Sequence, residues 1–168
     1  KLYNNKTGNL VEQWNEDYKK LKDNGAFLPE MLMDIGKAKD KKGNCYIFFK
    51  SLFASKLDMY RNLDLLIESF GNFVNALKQE EMYGNFDITY KSFAYESLTR
   101  RYVFIDIDKF EPIKPKNPKI ITAYKAVNSF LKSLEKGKIV LTKEQLDEIK
   151  QLGGTSYSYH SDLISNSR

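Results

Sequence analysis

Cysteine and histidine are almost absent from this sequence of 168 residues, which has one of each, Cys45 and His160. A lone cysteine cannot form an internal disulfide, and one cysteine with one histidine cannot complete a structural zinc site. A Cys/His or Ser/His catalytic pair is also disfavoured, because Cys45 lies in an apolar run where thiols are normally inert and His160 lies in the tail. We therefore expect a fold stabilised by its core alone, in a reduced, cytoplasmic (intracellular) setting.

Long apolar runs and glycine-rich phosphate loops are also missing. No apolar run approaches the roughly 20 residues that a membrane-spanning helix needs. The nine glycines are scattered, and Gly153-Gly154 follows a predicted helix, whereas a P-loop requires a preceding strand. The sequence therefore predicts neither a membrane protein nor a P-loop nucleotide-binding protein.

Apolar residues recur every three or four positions in several stretches, as on the buried face of a helix. Near the N-terminus Leu10, Trp14 and Tyr18 share such a face, and Asn24-Gly25 supplies a left-handed stop. The longest stripe predicts the longest helix, the main platform of the core, and Gly71 inside it indicates a close contact or a gentle kink. The predicted helices cover residues 9–23, 29–35, 57–78, 120–136 (closed by Lys136-Gly137) and 142–153, the last opened by a Thr142–Gln145 capping box.

The stretch with the clearest strand pattern is Tyr102–Asp108, whose β-branched and aromatic residues predict a strand. Alternation gives it one apolar face, which includes Val103, and one face that runs from aromatic to acidic. Residues 86–91 also alternate and predict an antiparallel partner, joined to Tyr102–Asp108 through Ala94–Leu98. A third strand could come from residues 46–49 or 138–141, although residues 45–49 fit a helical turn equally well.

These elements predict an α+β fold. We expect one mostly helical domain over residues 1–153, with a small central antiparallel hairpin or three-stranded sheet packed on the long helix. Residues 154–168 form a tail rich in serine and tyrosine.

Charge is distributed unevenly along the chain. Residues 1–108 carry 16 basic and 16 acidic side chains, whereas residues 109–143 carry nine lysines and two glutamates, a local charge of +7. Such a segment predicts a non-catalytic binding or regulatory protein that engages an acidic protein or a nucleic-acid backbone. Because lysine lacks the bidentate geometry of arginine, binding should depend little on base sequence. The candidate binding residues are Arg100, Arg101, Lys109, Lys114, Lys116, Lys119, Tyr124 and Lys125.

A second hypothesis rests on the acidic end of the predicted strand. Asp106 and Asp108 would lie on one face, about 7 Å apart by strand rise, where a hydrated divalent cation could bridge them. The string Phe104–Phe110, Phe-Ile-Asp-Ile-Asp-Lys-Phe, resembles the first metal-binding strand of diguanylate cyclase domains and other palm-type nucleotidyl transferases. The Gly-Gly-Asp/Glu-Glu-Phe loop of the cyclases has no counterpart downstream. The resemblance implies Mg²⁺ or Mn²⁺ as cofactor and an enzyme acting on phosphate esters or nucleotides.

Overall fold

The computed structural model describes residues 2–3, 8–31, 38–42, 45–46, 62–80, 82, 88–107, 110 and 118–154. These residues form a mostly helical α+β fold, as predicted, and none of their helices is long and apolar enough to cross a bilayer. In chain order the elements are β1 (Leu2–Tyr3), α1 (Gly8–Asp23), β2 (Ala38–Lys39), β3 (Cys45–Tyr46), α2 (Leu63–Gln79), a 3-10 turn (Tyr90–Ser92), β4 (Phe93–Glu96), β5 (Arg101–Phe104), α3 (Pro118–Lys136) and α4 (Lys143–Leu152).

The centre of the core is a group of buried phenylalanines, here called the phenylalanine cluster, that joins α2, the hairpin and α3. Its members are Phe70, Phe73, Phe93, Phe104, Phe110 and Phe130. Phe70 and Phe130 are stacked, with ring centroids 3.8 Å apart and an interplanar angle of 6°. Phe73 contacts Phe104 at 4.4 Å, and Phe93 meets both Phe70 and Phe73 edge-on. Aromatic pairs of this kind contribute about 0.5–1.5 kcal/mol each beyond the burial of their area.

The platform helix α2 begins later than predicted. Asn62 has extended backbone angles, and its side-chain oxygen accepts a hydrogen bond from the Leu65 N–H, so the helix begins at Leu63 and not at Leu57. It is also shorter than α3, with 17 residues against 19. Residues 57–61 lie outside the described part of the chain.

The hairpin is present, but its first strand is displaced from the predicted position. Residues 90–92 form the 3-10 turn, residues 88–89 have no strand pairing, and residues 86–87 lie outside the described part. Ala94, predicted to lie in the connection, pairs with Val103 inside the sheet, and the connection is residues 97–100. The displacement brings Phe93 into the phenylalanine cluster, and that burial decides the register.

The second strand, β5, ends at Phe104, so the predicted extension to Asp108 is wrong. Its aromatic face, with Tyr102 and Phe104, packs in the core, whereas Val103 is buried on the opposite face. The N–H of Phe104 donates to the carbonyl of Phe27 at 2.8 Å, so the segment after α1 covers the other edge of β5. Among the described residues the hairpin is a sheet of two strands, so β5 is an edge strand whose second edge is covered by that segment.

Within the described part of the chain, which omits residues 47–49, neither candidate for a third strand joins this hairpin. Residues 138–141 form a turn and a loop, and Cys45–Tyr46 pairs with β1 and β2 in a separate small sheet. The short helix predicted over residues 29–35 is not formed at Pro29–Met31, and residues 32–35 lie outside the described part.

The two terminal helices end as predicted. In α1 the side chains of Trp14 and Tyr18 are buried, and they donate to the carbonyls of Phe110 and Pro29 at 3.3 and 2.6 Å. Gly25 supplies the left-handed stop with φ of 88°. In α4 the capping box is present, and the residue that closes it, Gln145, also donates to Asp64 on α2 at 2.8 Å. All of the predicted tail beyond Gly154 lies outside the described part.

A buried carboxylate lies on the core side of α1. Asp17 is 4% exposed and accepts a hydrogen bond from the Gln13 side chain at 3.0 Å. Burial raises the pKa of Asp17 from 3.8 to about 6, an effect that the Gln13 hydrogen bond and Lys20 oppose and Glu16 reinforces. The folded protein therefore holds this proton more tightly than the unfolded chain.

Asp17→Asn should remove a pH-dependent cost of folding. Below pH 3.8 the aspartate is neutral in both states; as the pH rises to about 6 the unfolded chain ionises first and stability falls. Asparagine keeps the acceptor for Gln13 and has no charge, so the variant should gain up to about 3 kcal/mol over the parent above pH 6, at about 1.36 kcal/mol per pKa unit. Urea unfolding of both proteins from pH 3.5 to 7.5 measures the difference. A difference that does not change with pH would contradict the assignment.

Candidate functional site

Only part of the predicted binding set lies within the described residues. Arg100, Arg101, Tyr124 and Lys125 are described with their side chains. The other four predicted residues lie outside the described part of the chain, Lys119 by its side chain only. Their roles in binding stay predictions: Lys109, Lys114, Lys116 and Lys119.

Among the described side chains of α3, three exposed lysines lie in one line, here called the lysine stripe: Lys125, Lys132 and Lys136. Their spacings of seven and four residues place them within about 40° of one another around the axis, because an α-helix turns once every 3.6 residues. The stripe extends about 16 Å at 1.5 Å per residue. Only Lys125 was singled out from the sequence, although the spacing was visible there once the helix was placed. Tyr124, which is 38% exposed, lies about 100° from Lys125 around the axis.

The two arginines of the hairpin differ from each other. Arg100 is exposed in the connecting turn with φ of 54°. Arg101 is half-buried, and its guanidinium lies 4.2 Å from the centre of the Phe27 ring. Because a cation over an aromatic face is attracted to it, Arg101 packs the segment after α1 against β5. A role for Arg100 in binding stays a prediction.

A pocket of about 370 Å³ lies at the C-terminal end of α3, and we call it the Tyr90 pocket. It is lined by Thr89, Tyr90, Lys91, Ser133, Lys136 and Gly137. Lys136 belongs to both the pocket and the lysine stripe, so the two features are continuous. The ammonium of Lys91 lies 5.8 Å from the centre of the Tyr90 ring.

The pocket wall is fixed by hydrogen bonds that lead back to the core. The N–H of Tyr90 donates to the hydroxyl oxygen of Ser133 at 3.0 Å, and that hydroxyl donates to the carbonyl of Phe130 at 2.7 Å. The 3-10 turn is closed locally, since the N–H of Thr89 donates to the Ser92 hydroxyl at 3.1 Å. The wall is therefore held in place before any ligand binds.

Helix α3 ends at Lys136, as the Lys136-Gly137 pair predicted, and the left-handed residue follows one position after Gly137. Lys138 has that conformation, with φ of 55°. A Cβ on Gly137 would lie 2.7 Å from the Tyr90 hydroxyl and 2.9 Å from its ring carbon Cε1. Glycine is needed at 137 because the tyrosine ring approaches the backbone there.

The charges at this end of α3 favour an anion despite the helix polarity. The C-terminus of a helix carries about half a negative charge on its last carbonyls. Here the carbonyls of residues 133–135 accept hydrogen bonds from the N–H groups of residues 137–139, which reduces that effect. Glu135 is exposed nearby, whereas Lys91, Lys136 and Lys138 are exposed at the same end. Among the described side chains at this end, the cations outnumber the carboxylate.

The hypothesis of a metal site loses its geometric premise but stays untested. Asp106 lies after the end of β5, so the expected spacing along an extended strand does not apply to it. Asp108 lies outside the described part. Among the described side chains, no group of three or more His, Cys, Asp or Glu residues is arranged to hold a metal ion.

Two glycine substitutions should have opposite effects on stability. Gly137→Ala places a methyl group against the Tyr90 ring and should cost about 1–3 kcal/mol, the usual range for overpacking. Gly71→Ala is the matched control, since its Cβ would meet only Leu152 at 3.8 Å, an ordinary contact. That variant should gain up to about 1 kcal/mol from helix propensity. Chemical denaturation of both variants measures this, and a stabilising Gly137→Ala would contradict the described packing of Tyr90.

Comparison with known proteins does not assign this chain to a family. No protein-family model matches it, and no curated protein matches it.

Proposed function

We propose that this protein is a non-catalytic binding protein that engages the backbone of a nucleic acid through the lysine stripe. The observation that carries the proposal is the alignment of Lys125, Lys132 and Lys136 on one exposed face of a single helix. Each strand of a duplex rises about 3.4 Å along the helix axis per phosphate, so a stripe of about 16 Å covers the axial length of about five phosphates of one strand.

Binding of this kind is electrostatic and insensitive to sequence. An ammonium group neutralises a phosphate but does not read base edges in the bidentate manner of arginine. The stripe and Lys91 together supply four exposed lysines. We expect non-specific affinity in the range of about 10⁻⁴–10⁻⁶ M at physiological salt.

An acidic protein is the other partner that the charge of this segment predicts. A nucleic acid is favoured because the lysines follow a line, as phosphates do, and because they sit next to a pocket with a half-buried tyrosine. A linear polyanion also releases condensed counterions on binding, which gives a steep and measurable salt dependence.

The salt dependence of duplex binding tests the proposal. Four neutralised phosphates should give a log–log slope near −3.6, at about −0.9 per phosphate. Replacement of Lys125, Lys132 and Lys136 by glutamine should reduce the slope to about −0.9. Fluorescence anisotropy with a labelled 20-base-pair duplex between about 20 and 150 mM salt measures both.

The matched control replaces the same number of exposed lysines elsewhere. Lys19, Lys22 and Lys42 are exposed on α1 and in the loop after β2, and their replacement by glutamine changes net charge equally. This control should keep a slope near −3.6. Equal slopes in the two triple variants, or no binding by the parent at low salt, would contradict the proposal.

A further inference from the structure

We propose that the Tyr90 pocket binds a terminal phosphate monoester, the phosphorylated end of a nucleic-acid strand whose backbone follows the lysine stripe. This inference rests on the proposed function and adds to it a specific ligand group. Its basis is the position of the pocket: Lys136 is the last residue of α3, closes the stripe and lines the pocket.

The charge of the pocket matches a monoester better than an internal diester. Lys91 and Lys136 line one small cavity, whereas consecutive lysines along the stripe are separated by one or two helical turns. A phosphate monoester carries about −1.5 to −2 at pH 7, compared with a single charge on a backbone diester. Two lysines that line one site are therefore matched by a dianion.

The shape of the pocket also favours a chain end. Its volume of about 370 Å³ is near the lower limit of ligand pockets, which span about 300–1,000 Å³. That space admits a phosphate with its attached sugar. The half-buried Tyr90 and the backbone at Gly137 adjoin in its wall, and in the proposed arrangement a strand that follows α3 ends against them.

The pocket is pre-organised, which lowers the entropic cost of binding. Ser133 holds the Tyr90 backbone, and the absence of a side chain at Gly137 allows the ring to stay close to α3. A preformed wall leaves only the two lysine side chains to be ordered by the ligand. A single phosphate can therefore contribute measurable affinity here.

The test compares 12-nucleotide single strands of one sequence that differ only at their ends: 5′-phosphate, 3′-phosphate, or hydroxyl at both. The parent protein should bind one phosphorylated strand about tenfold more tightly than the hydroxyl strand, as expected for added charge-assisted contacts. The 5′ and 3′ arms identify which end the pocket takes. Equal affinity for all three strands would overturn the inference.

Two single variants locate the effect. Lys91→Gln changes a lysine that lines the pocket but is not on α3, and it should reduce the preference to less than about twofold. Lys125→Gln, the matched control at the far end of the stripe, should weaken binding of all three strands equally and keep the preference for the phosphorylated strand. Circular dichroism confirms that both variants are folded. A preference that survives Lys91→Gln would place the phosphate elsewhere and overturn the inference.

The two proposals fail in different ways. If the strands bind with the salt dependence expected for single strands, about −0.7 per neutralised phosphate, but without a preference for phosphate, the lysine stripe stands and the pocket assignment falls. If no strand binds at low salt, the proposed function and this inference both fall.

Discussion

The stacked contact between Phe70 and Phe130 is the interaction on which the rest of this structure depends. It brings α3 against α2, while Phe73 attaches the hairpin to the same helix through Phe104. The candidate site follows from this packing. Ser133 lies one helical turn after Phe130, donates to its carbonyl and accepts the backbone N–H of Tyr90. The pocket wall is thus an extension of the core.

Four helices were predictable because their signals are local, whereas the helix predicted over residues 29–35 is not formed at Pro29–Met31. The stripes of α1 and α3, the Asn24-Gly25 stop and the Thr142 capping box each involve residues within a few positions of one another, and the structure has all of them. The start of α2 was missed because apolar periodicity continues upstream of Asn62, whereas the side-chain cap ends the helix there.

The hairpin was harder to place because two neighbouring segments alternate. Residues 86–91 and 93–96 both have the period of a strand, and local pattern does not distinguish them. The choice is made by contacts distant in sequence: Phe93 packs on α2 and α3 and pairs with Phe104 in the sheet. The candidate site likewise has one part that local sequence predicts and one part that depends on distant contacts. Composition indicated the basic segment, but the Tyr90 pocket depends on a contact between residues 43 positions apart, which no local pattern contains.

A double-mutant cycle on Phe70 and Phe130 tests most directly whether their stack organises the fold. Phe70→Leu and Phe130→Leu each keep an apolar side chain while removing the ring contact, so the cycle isolates the pair. We predict that the sum of the two single losses of unfolding free energy differs from the loss in the double variant by a coupling energy of about 0.5–1.5 kcal/mol. Additive losses, agreeing within about 0.3 kcal/mol, would show that α3 is held to α2 by burial alone and would contradict the account.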